Sequence, residues 1–307
     1  MINNITKSLN AVSIVVALFI CCNAVASSSM KQVITPSSSV PLQPIMIQGP
    51  MPIEAQYFAS LLNNVTVEYS GNATFYLGTY NKYPVVVAQT GKGLENTAAA
   101  TAVGITRYKP RVIINQGTSG GHDPALHVGD IVLGARSINA TSFKTPKRNK
   151  GEGSQPLTWI PMDLMASQGS AGEGEGAADA EKLRFYAGDN ELITLAMSLR
   201  NKHTRGKVVT GTIGSGNFWN NELDRIEWLH KNLGTSVEEM ETSAAAQIAY
   251  AYGVPFVGIR ILSNNITNRG EYDPSTAKDC QLFVKHVVEA YISSLKNALI
   301  ERKVSLD

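Results

Sequence analysis

Short apolar runs rich in Val and Ile recur along the chain, each followed by a longer segment whose apolar residues repeat at helical spacing. Ile45 to Gln48 is stopped by Gly49-Pro50, and Met51 to Leu62 then opens a helix, with Pro52 suited to its first turn. Strands are expected over Thr74 to Thr79, Tyr83 to Thr90, Arg111 to Asn115, Val128 to Leu133, Lys207 to Ile213 and Val254 to Ser263. Helices are expected over Ala98 to Tyr108, Glu191 to Lys202, Glu222 to Asn232 and Thr276 to about Glu301. Gln116 to Gly121, Gly214 to Trp219 and Asn264 to Pro274 read as loops at strand exits. Strands alternating with helices predict an α/β fold: one domain over 44–303, three layers α/β/α, with a mixed, mainly parallel central sheet.

One stretch breaks the pattern. Ser236 to Glu241 reads as a turn that holds three acids, Glu238, Glu239 and Glu241, directly before an Ala-rich helix that ends near Gly253. Buried carboxylates are costly without polar partners. Thr242 and Ser243 are candidate caps for that helix, and its dipole favours acids at the start, the reading adopted for Glu238. Glu241 is instead read as a substrate ligand.

Composition narrows the function. The chain of 307 residues is 43% hydrophobic and 17% charged with net charge +2, so it carries no electrostatic footprint for nucleic acid, and a small molecule is the expected partner. Lys7, the apolar run from Ala11 to Cys22 and Ala24-Val-Ala26 together read as a signal peptide over 1–26, cleaved near Ala26 for export to a periplasm or the medium. The apolar run is too short for a stable membrane span. Residues 27–43, rich in Ser and Pro, read as a flexible lead-in. Cys280 is then the one cysteine of the mature chain, which excludes an intramolecular disulfide. Sequons stand at Asn64, Asn72, Asn139 and Asn265. From about 142 to 176 a basic and then Gly-rich stretch reads as a surface insertion, partly mobile.

No metal-ligand spacing, phosphate-cradling loop or nucleophile elbow is present, so neither metal nor cofactor is expected. His122 and His127 flank a turn and read as surface groups; His203, His230 and His286 read as structural. The strand exits carry Glu54, then Thr118 with Ser119 and Gly120, then Phe218 with Trp219, then Glu241, then Ser263 with Asn264. Carboxylates, hydroxyls and an aromatic shelf are the groups that cleavage of a glycosidic bond to a stacked base requires.

Four motifs occur in order: Gly-x-Met-x-x-Glu (Gly49 to Glu54), Asn-x-Gly-Thr-x-Gly-Gly (Asn115 to Gly121), Val-Glu-x-Met-Glu with one extra Glu (Val237 to Glu241), and Val-Pro-Phe-Val-x-x-Arg-x-x-Ser (Val254 to Ser263). Together they resemble the nucleoside phosphorylase/nucleosidase superfamily, and within it the 5′-methylthioadenosine/S-adenosylhomocysteine nucleosidases, over Ile45 to about Lys296 apart from the insertion. The resemblance implies that Glu54 orients and deprotonates the attacking water. It implies that Glu241 binds ribose hydroxyls with Met240 packed on the sugar, that Thr118 stands near sugar and water, and that Arg260 supports the water site. Phe218 would stack on the purine, the backbone at Trp219 would read its edge, and Tyr272 would line the 5′ side, where a second copy of a homodimer can complete the pocket.

Two departures matter. Superfamily phosphorylases grip phosphate with arginines, one of them at the position of Asn115, so water is the expected nucleophile here. Family nucleosidases place an Asp where this chain has Asn264, and an amide cannot deliver a proton to the departing purine. Asn264 therefore implies either 6-oxopurine substrates or weak turnover of adenine nucleosides. Asp273 is a candidate replacement acid, although its Asp-Pro context reads first as a turn. The expected function is an exported purine nucleosidase; the alternatives are a secreted nucleoside-binding or storage protein and a purine nucleoside phosphorylase.

Overall fold

The computed structural model describes residues 41–167 and 180–304, so the expected signal peptide over 1–26, most of the expected lead-in and residues 168–176 of the expected insertion lie outside the described residues. The chain runs β1 (Ile45–Gly49), α1 (Pro52–Ala59), β2 (Asn63–Ser70), β3 (Ala73–Tyr80), β4 (Tyr83–Gln89), α2 (Leu94–Tyr108), β5 (Val112–Gly121) and β6 (Ile131–Asn139). Short strands β7 (Phe143–Lys144), β8 (Ile160–Pro161), β9 (Leu164–Met165), β10 (Lys182–Leu183) and β11 (Tyr186–Ala187) follow. Then come α3 (Asn190–Ser198), β12 (Val208–Ser215), α4 (Leu223–Leu233), β13 (Thr235–Glu239), α5 (Thr242–Ala251), β14 (Phe256–Asn264) and α6 (Thr276–Val304).

Alternation along β1 shows why the sheet is covered on both faces. Ile45 and Ile47 pack with Phe58 of α1, Leu192 of α3 and Phe283, Val284 and Val287 of α6. Met46, between them, packs on the opposite side with Ala100 and Ile105 of α2 and Ala245, Ala246 and Ala249 of α5. Three layers result, as the alternating pattern predicts. The Ala-rich composition of α5 and Gly104 of α2 let these helices approach closely: a Cβ at Gly104 would meet Met46 Sδ at 2.6 Å.

The sheet is mixed. Pairing is parallel through β4, β1, β5 and β14, and again through β6, β12 and β13. It is antiparallel where β14 meets β6 and where β13 meets β5. Those pairings close a ring, β5 to β14 to β6 to β12 to β13 and back to β5, from which β1, β4, β3 and β2 extend. Val132, Ile213, Val237 and Leu262, one from each of four ring strands, form an apolar cluster with Leu126.

Three expectations are corrected. Gln116 to Gly121 is not a loop: β5 runs on through Gly121, paired with β14 and, at Gly120 and Gly121, with β13. Its glycines serve close packing inside the sheet. Ser236 to Glu239 is likewise no turn but most of β13, with Thr235, Val237 and Glu239 buried in alternation. Nor do Thr242 and Ser243 cap α5 with their own side chains. The Glu239 carboxylate accepts from the Thr242 N–H (2.9 Å), and the Ser215 hydroxyl accepts from the Ser243 N–H (2.8 Å). The strand β2 was not foreseen, because its residues are mostly exposed and its Val and Tyr alternate with polar residues at an edge.

The described part of the insertion is anchored rather than free. Phe143 packs tilted against Trp159 and edge-on against Trp228, and the Arg225 guanidinium lies 4.7 Å from the Phe143 and Trp228 rings while donating to the Pro156 carbonyl (2.8 Å).

Candidate active site

Strand ends and the first turns of two helices surround a cavity of about 280 Å³. Its wall includes Glu54, Thr118, Ser119, Gly120, Phe218, Trp219, Met240, Glu241, Ser263, Asn264 and Tyr272, every predicted site residue except Arg260. A volume near the lower end of small-molecule sites suits a single compact ligand.

Glu54 owes its position to local sequence. Pro52 occupies the first helical turn, and Glu54, two residues on, reaches back so that its Oε2 accepts the Met51 N–H (3.2 Å). Its Oε1 accepts both the backbone N–H (2.7 Å) and the hydroxyl (2.8 Å) of Thr118. Gln116 donates its side-chain amide to the Glu54 carbonyl. The carboxylate is 4% exposed, so these donors hold it at the cavity with little freedom.

Glu241 stands where β13 gives way to α5 and is also 4% exposed. Its Oε1 accepts the N–H of Gly93 (2.9 Å) and its Oε2 the N–H of Met240 (3.2 Å). Gly93 has φ +107°, a conformation open to glycine, which turns that amide toward the acid. Burial pushes the Glu241 carboxyl up to about 8, with the charge of Glu239 adding to it and Arg260 and the Gly93 amide opposing. A site that raises the cost of the bare carboxylate is one that rewards hydroxyl donors.

Arg260, expected to support the water site, does not reach the cavity. It is wholly buried, binding Glu239 through Nη2 (2.6 Å) and Nε (3.0 Å), and Asn115 at its carbonyl (3.0 Å) and Oδ1 (2.5 Å). Burial alone would lower its pKa, but the charges of Glu239, Glu241 and Glu54 raise it. Glu239 also receives the hydroxyls of Thr242 (2.8 Å) and Ser215. Arg260 is thus a strut under Glu239, Glu241 and α5. Asn115 is consumed by the same network and by Gln48 (3.0 Å). Among the described residues no arginine lines the cavity, and Lys92, which does, is exposed.

Ser119 and Ser263 lace β5 to β14: Ser119 Oγ donates to the Ile261 carbonyl (3.2 Å) and Ser263 Oγ to the Ser119 carbonyl (3.1 Å). Trp219 and Tyr272 meet edge to face at 6.2 Å and are 68% and 59% exposed, which places them at the mouth. Asp273 faces away from the wall. Its carboxylate binds Arg205 and the Ser275 N–H (2.9 Å) and hydroxyl (2.6 Å), the last two of which chiefly hold its pKa down. The turn reading of Asp273 stands and the replacement-acid reading does not.

His122 corrects another expectation. It is 2% exposed and lines the cavity, with Nδ1 2.7 Å from Thr235 Oγ1 and Nε2 2.8 Å from Glu238 Oε2. Glu238 also lines the cavity, and its Oε1 accepts the Asn220 N–H (2.9 Å), so it is no helix-dipole acid. His127 is exposed as expected, whereas His203 and His230 each bind a backbone carbonyl, of Gly129 (2.6 Å) and Thr235 (2.7 Å). Nothing in the sequence pairs His122 with Glu238; only the antiparallel register of β13 on β5 does.

Residues 44–298 match the family model described as the phosphorylase superfamily. The 5′-methylthioadenosine/S-adenosylhomocysteine nucleosidase of Psychromonas ingrahamii is 28% identical over 250 residues, covering 80% of this chain and 97% of that protein. The enzyme of the same name from Bacillus licheniformis is 30% identical over 221 residues, covering 72% and 85%. In structure, the nucleosidase of that name from Colwellia psychrerythraea, solved with adenine, superposes with a TM-score of 0.63 at 23% identity, covering 81% of this chain and 95% of the other. The chain belongs to the phosphorylase superfamily, as a homologue of its 5′-methylthioadenosine/S-adenosylhomocysteine nucleosidases.

Proposed function

We propose that this protein is a purine nucleosidase that hydrolyses the N-glycosidic bond of purine nucleosides. The observation that carries this reading is the convergence of Glu54 and Glu241, both nearly sealed from solvent, on one cavity with Thr118, Met240 and Phe218. Glu54 takes a proton from a water beside Thr118 as that water attacks C1′, and the purine leaves with the electrons of the C1′–N9 bond and takes its proton from solvent water, since Asn264 has none to give. Glu241 holds the ribose hydroxyls against Met240, and Phe218 packs on the base. Charge on the sugar becomes positive as the C1′–N9 bond lengthens, and the carboxylates stabilise that charge more than they stabilise the ground state. The cavity wall offers no arginine fork for phosphate, which favours water over phosphate as the nucleophile.

Asn264 in place of an acid supports a shift toward 6-oxopurine nucleosides, and it is also the observation that favours a second reading, a nucleoside-binding protein with little catalysis. One assay separates them. Release of free base is measured with 5′-methylthioadenosine, S-adenosylhomocysteine, adenosine, inosine and guanosine, each with and without phosphate. The expected result is phosphate-independent release from at least one; binding without release supports the second reading, and strictly phosphate-dependent release a phosphorylase. We further infer that the mature protein is exported after cleavage near Ala26 and works as a homodimer, supported by the Lys7 to Ala26 pattern and by Trp219 and Tyr272 at the mouth. N-terminal sequencing of the exported protein and light scattering of the purified one test these two points.

A further inference from the structure

Gly120 is the centre of a three-strand cross-section of the site. On one side β13 places Glu238 opposite it, and on the other β14 places Asn264 opposite it. Residues in register on neighbouring strands face the same side of a sheet, so Glu238 and Asn264 flank the surface that Gly120 leaves bare. Two strand spacings separate their backbones by about 9–10 Å. All three line the cavity, and a Cβ at Gly120 would come within 3.5 Å of Asn264 Nδ2. A flat ring laid over Gly120 therefore has an amide at one edge and a carboxylate at the other.

The polarity of both edges is set by neighbours. Asn264 Oδ1 shares the one Ser263 hydroxyl proton (3.2 Å) with the Ser119 carbonyl (3.1 Å), and Nδ2 is the Asn264 atom nearest the bare face of Gly120, so the amide donates toward the cavity. Glu238 accepts one hydrogen bond at each oxygen, from Asn220 and from His122, and its side chain keeps 11% of its surface open. A carboxylate oxygen accepts more than one donor, so Glu238 presents unused acceptor capacity of fixed direction. His122 is itself fixed by Thr235, so the carboxylate cannot rotate out of the wall without breaking a buried contact.

We propose that Glu238, oriented by His122 and the Asn220 amide, reads the purine opposite Asn264 and selects bases that carry a ring N–H beside a carbonyl, the 6-oxopurines, over 6-aminopurines. The chemistry is a matching of donors and acceptors. A 6-oxopurine offers N7 and O6 to the Asn264 amide and its N1–H to Glu238. Adenine instead turns the N1 lone pair toward the carboxylate, so the charged acceptor meets an acceptor and neither is satisfied. The proposal rests on the nucleosidase reading for the place of the base, but it concerns recognition and is tested without turnover.

Titration calorimetry of the full mature chain with free hypoxanthine and free adenine is the direct experiment. Hypoxanthine is expected to bind more tightly, by at least about tenfold. Glu238→Val should weaken hypoxanthine about 10–100-fold and leave adenine within about threefold, because one polar partner of one ligand has been removed. Glu238→Gln, of the same shape, guards against misfolding: its carbonyl still accepts, and it should keep part of the preference with an unchanged melting temperature. Equal affinity of the parent protein for both bases, or equal weakening of both by Glu238→Val, would overturn the proposal. Absence of base release from any nucleoside, with discrimination between free bases intact, would instead overturn the hydrolase reading alone.

Discussion

Glu241 couples the site to pH. Its folded pKa lies above the ordinary carboxylate value, so it lends the empty protein stability that is complete below about pH 4.5 and lost as pH rises through about 8. Ribose hydroxyls donate to the ionised form and pull that pKa down, so binding releases a proton near neutrality. Calorimetry in buffers of different ionisation enthalpy should detect this release, and Glu241→Gln should abolish it. Arg260 gives a different kind of prediction. It is a buried charge whose partner Glu239 has no other cation in ion-pair range among the described residues, and removing one member of such a pair costs about 3–5 kcal/mol. Arg260→Met should lower the urea midpoint accordingly. Cys280, whose thiol burial pushes up to about 12, should stay unreactive to an aromatic disulfide reagent until the protein unfolds. Glu54, Thr118 and Glu241 could be picked out in the sequence because each sits in a short motif, although only Glu54 and Glu241 lie just past strand ends and Thr118 stands within β5. Arg260 was legible as a motif residue but not as a strut, since its partner Glu239 lies on a strand two places away. His122 looked like a surface residue beside a turn, and no local signal marked it as buried.

The element that decides the site is β5. Its glycines suggested a ligand loop, and the real requirement is tight packing: Gly117 lies so close to Glu54 that a Cβ there would come within 2.8 Å of Oε1. Gly117→Ala should therefore displace the carboxylate and reduce the rate of base release by about tenfold or more, with smaller effect on affinity, since a modest misplacement of a catalytic group is costly. Steady-state kinetics with the best nucleoside checks it, and an unchanged rate would show that Glu54 has no fixed role. Similar physics hid β13. Acids in succession resemble a solvated turn, yet Glu238 and Glu239 point to opposite faces of a strand, one toward the cavity with His122 and one toward Arg260. Alternation was present in the sequence, but with polar residues on both faces it carried no hydrophobic signal.

At the scale of the molecule, the strand and helix pattern was enough to give three layers, because both faces of β1 and β5 are apolar and each helix has one apolar side. Closure of the ring was not legible: it depends on which strands pair and in what register, and β14 bonds to both β5 and β6 although neither adjoins it in sequence. That closure brings the ends of β5, β13 and β14 to one cavity beside α1. The central claim is that acids from opposite ends of the chain act on one nucleoside there. Its most direct test is Glu54→Gln, assayed for base release under single-turnover conditions and for nucleoside binding by calorimetry. The account predicts a fall in rate of about 10²–10⁴-fold with affinity changed by less than about tenfold, the signature of a lost general base. A variant that releases base as fast as the parent protein would contradict it.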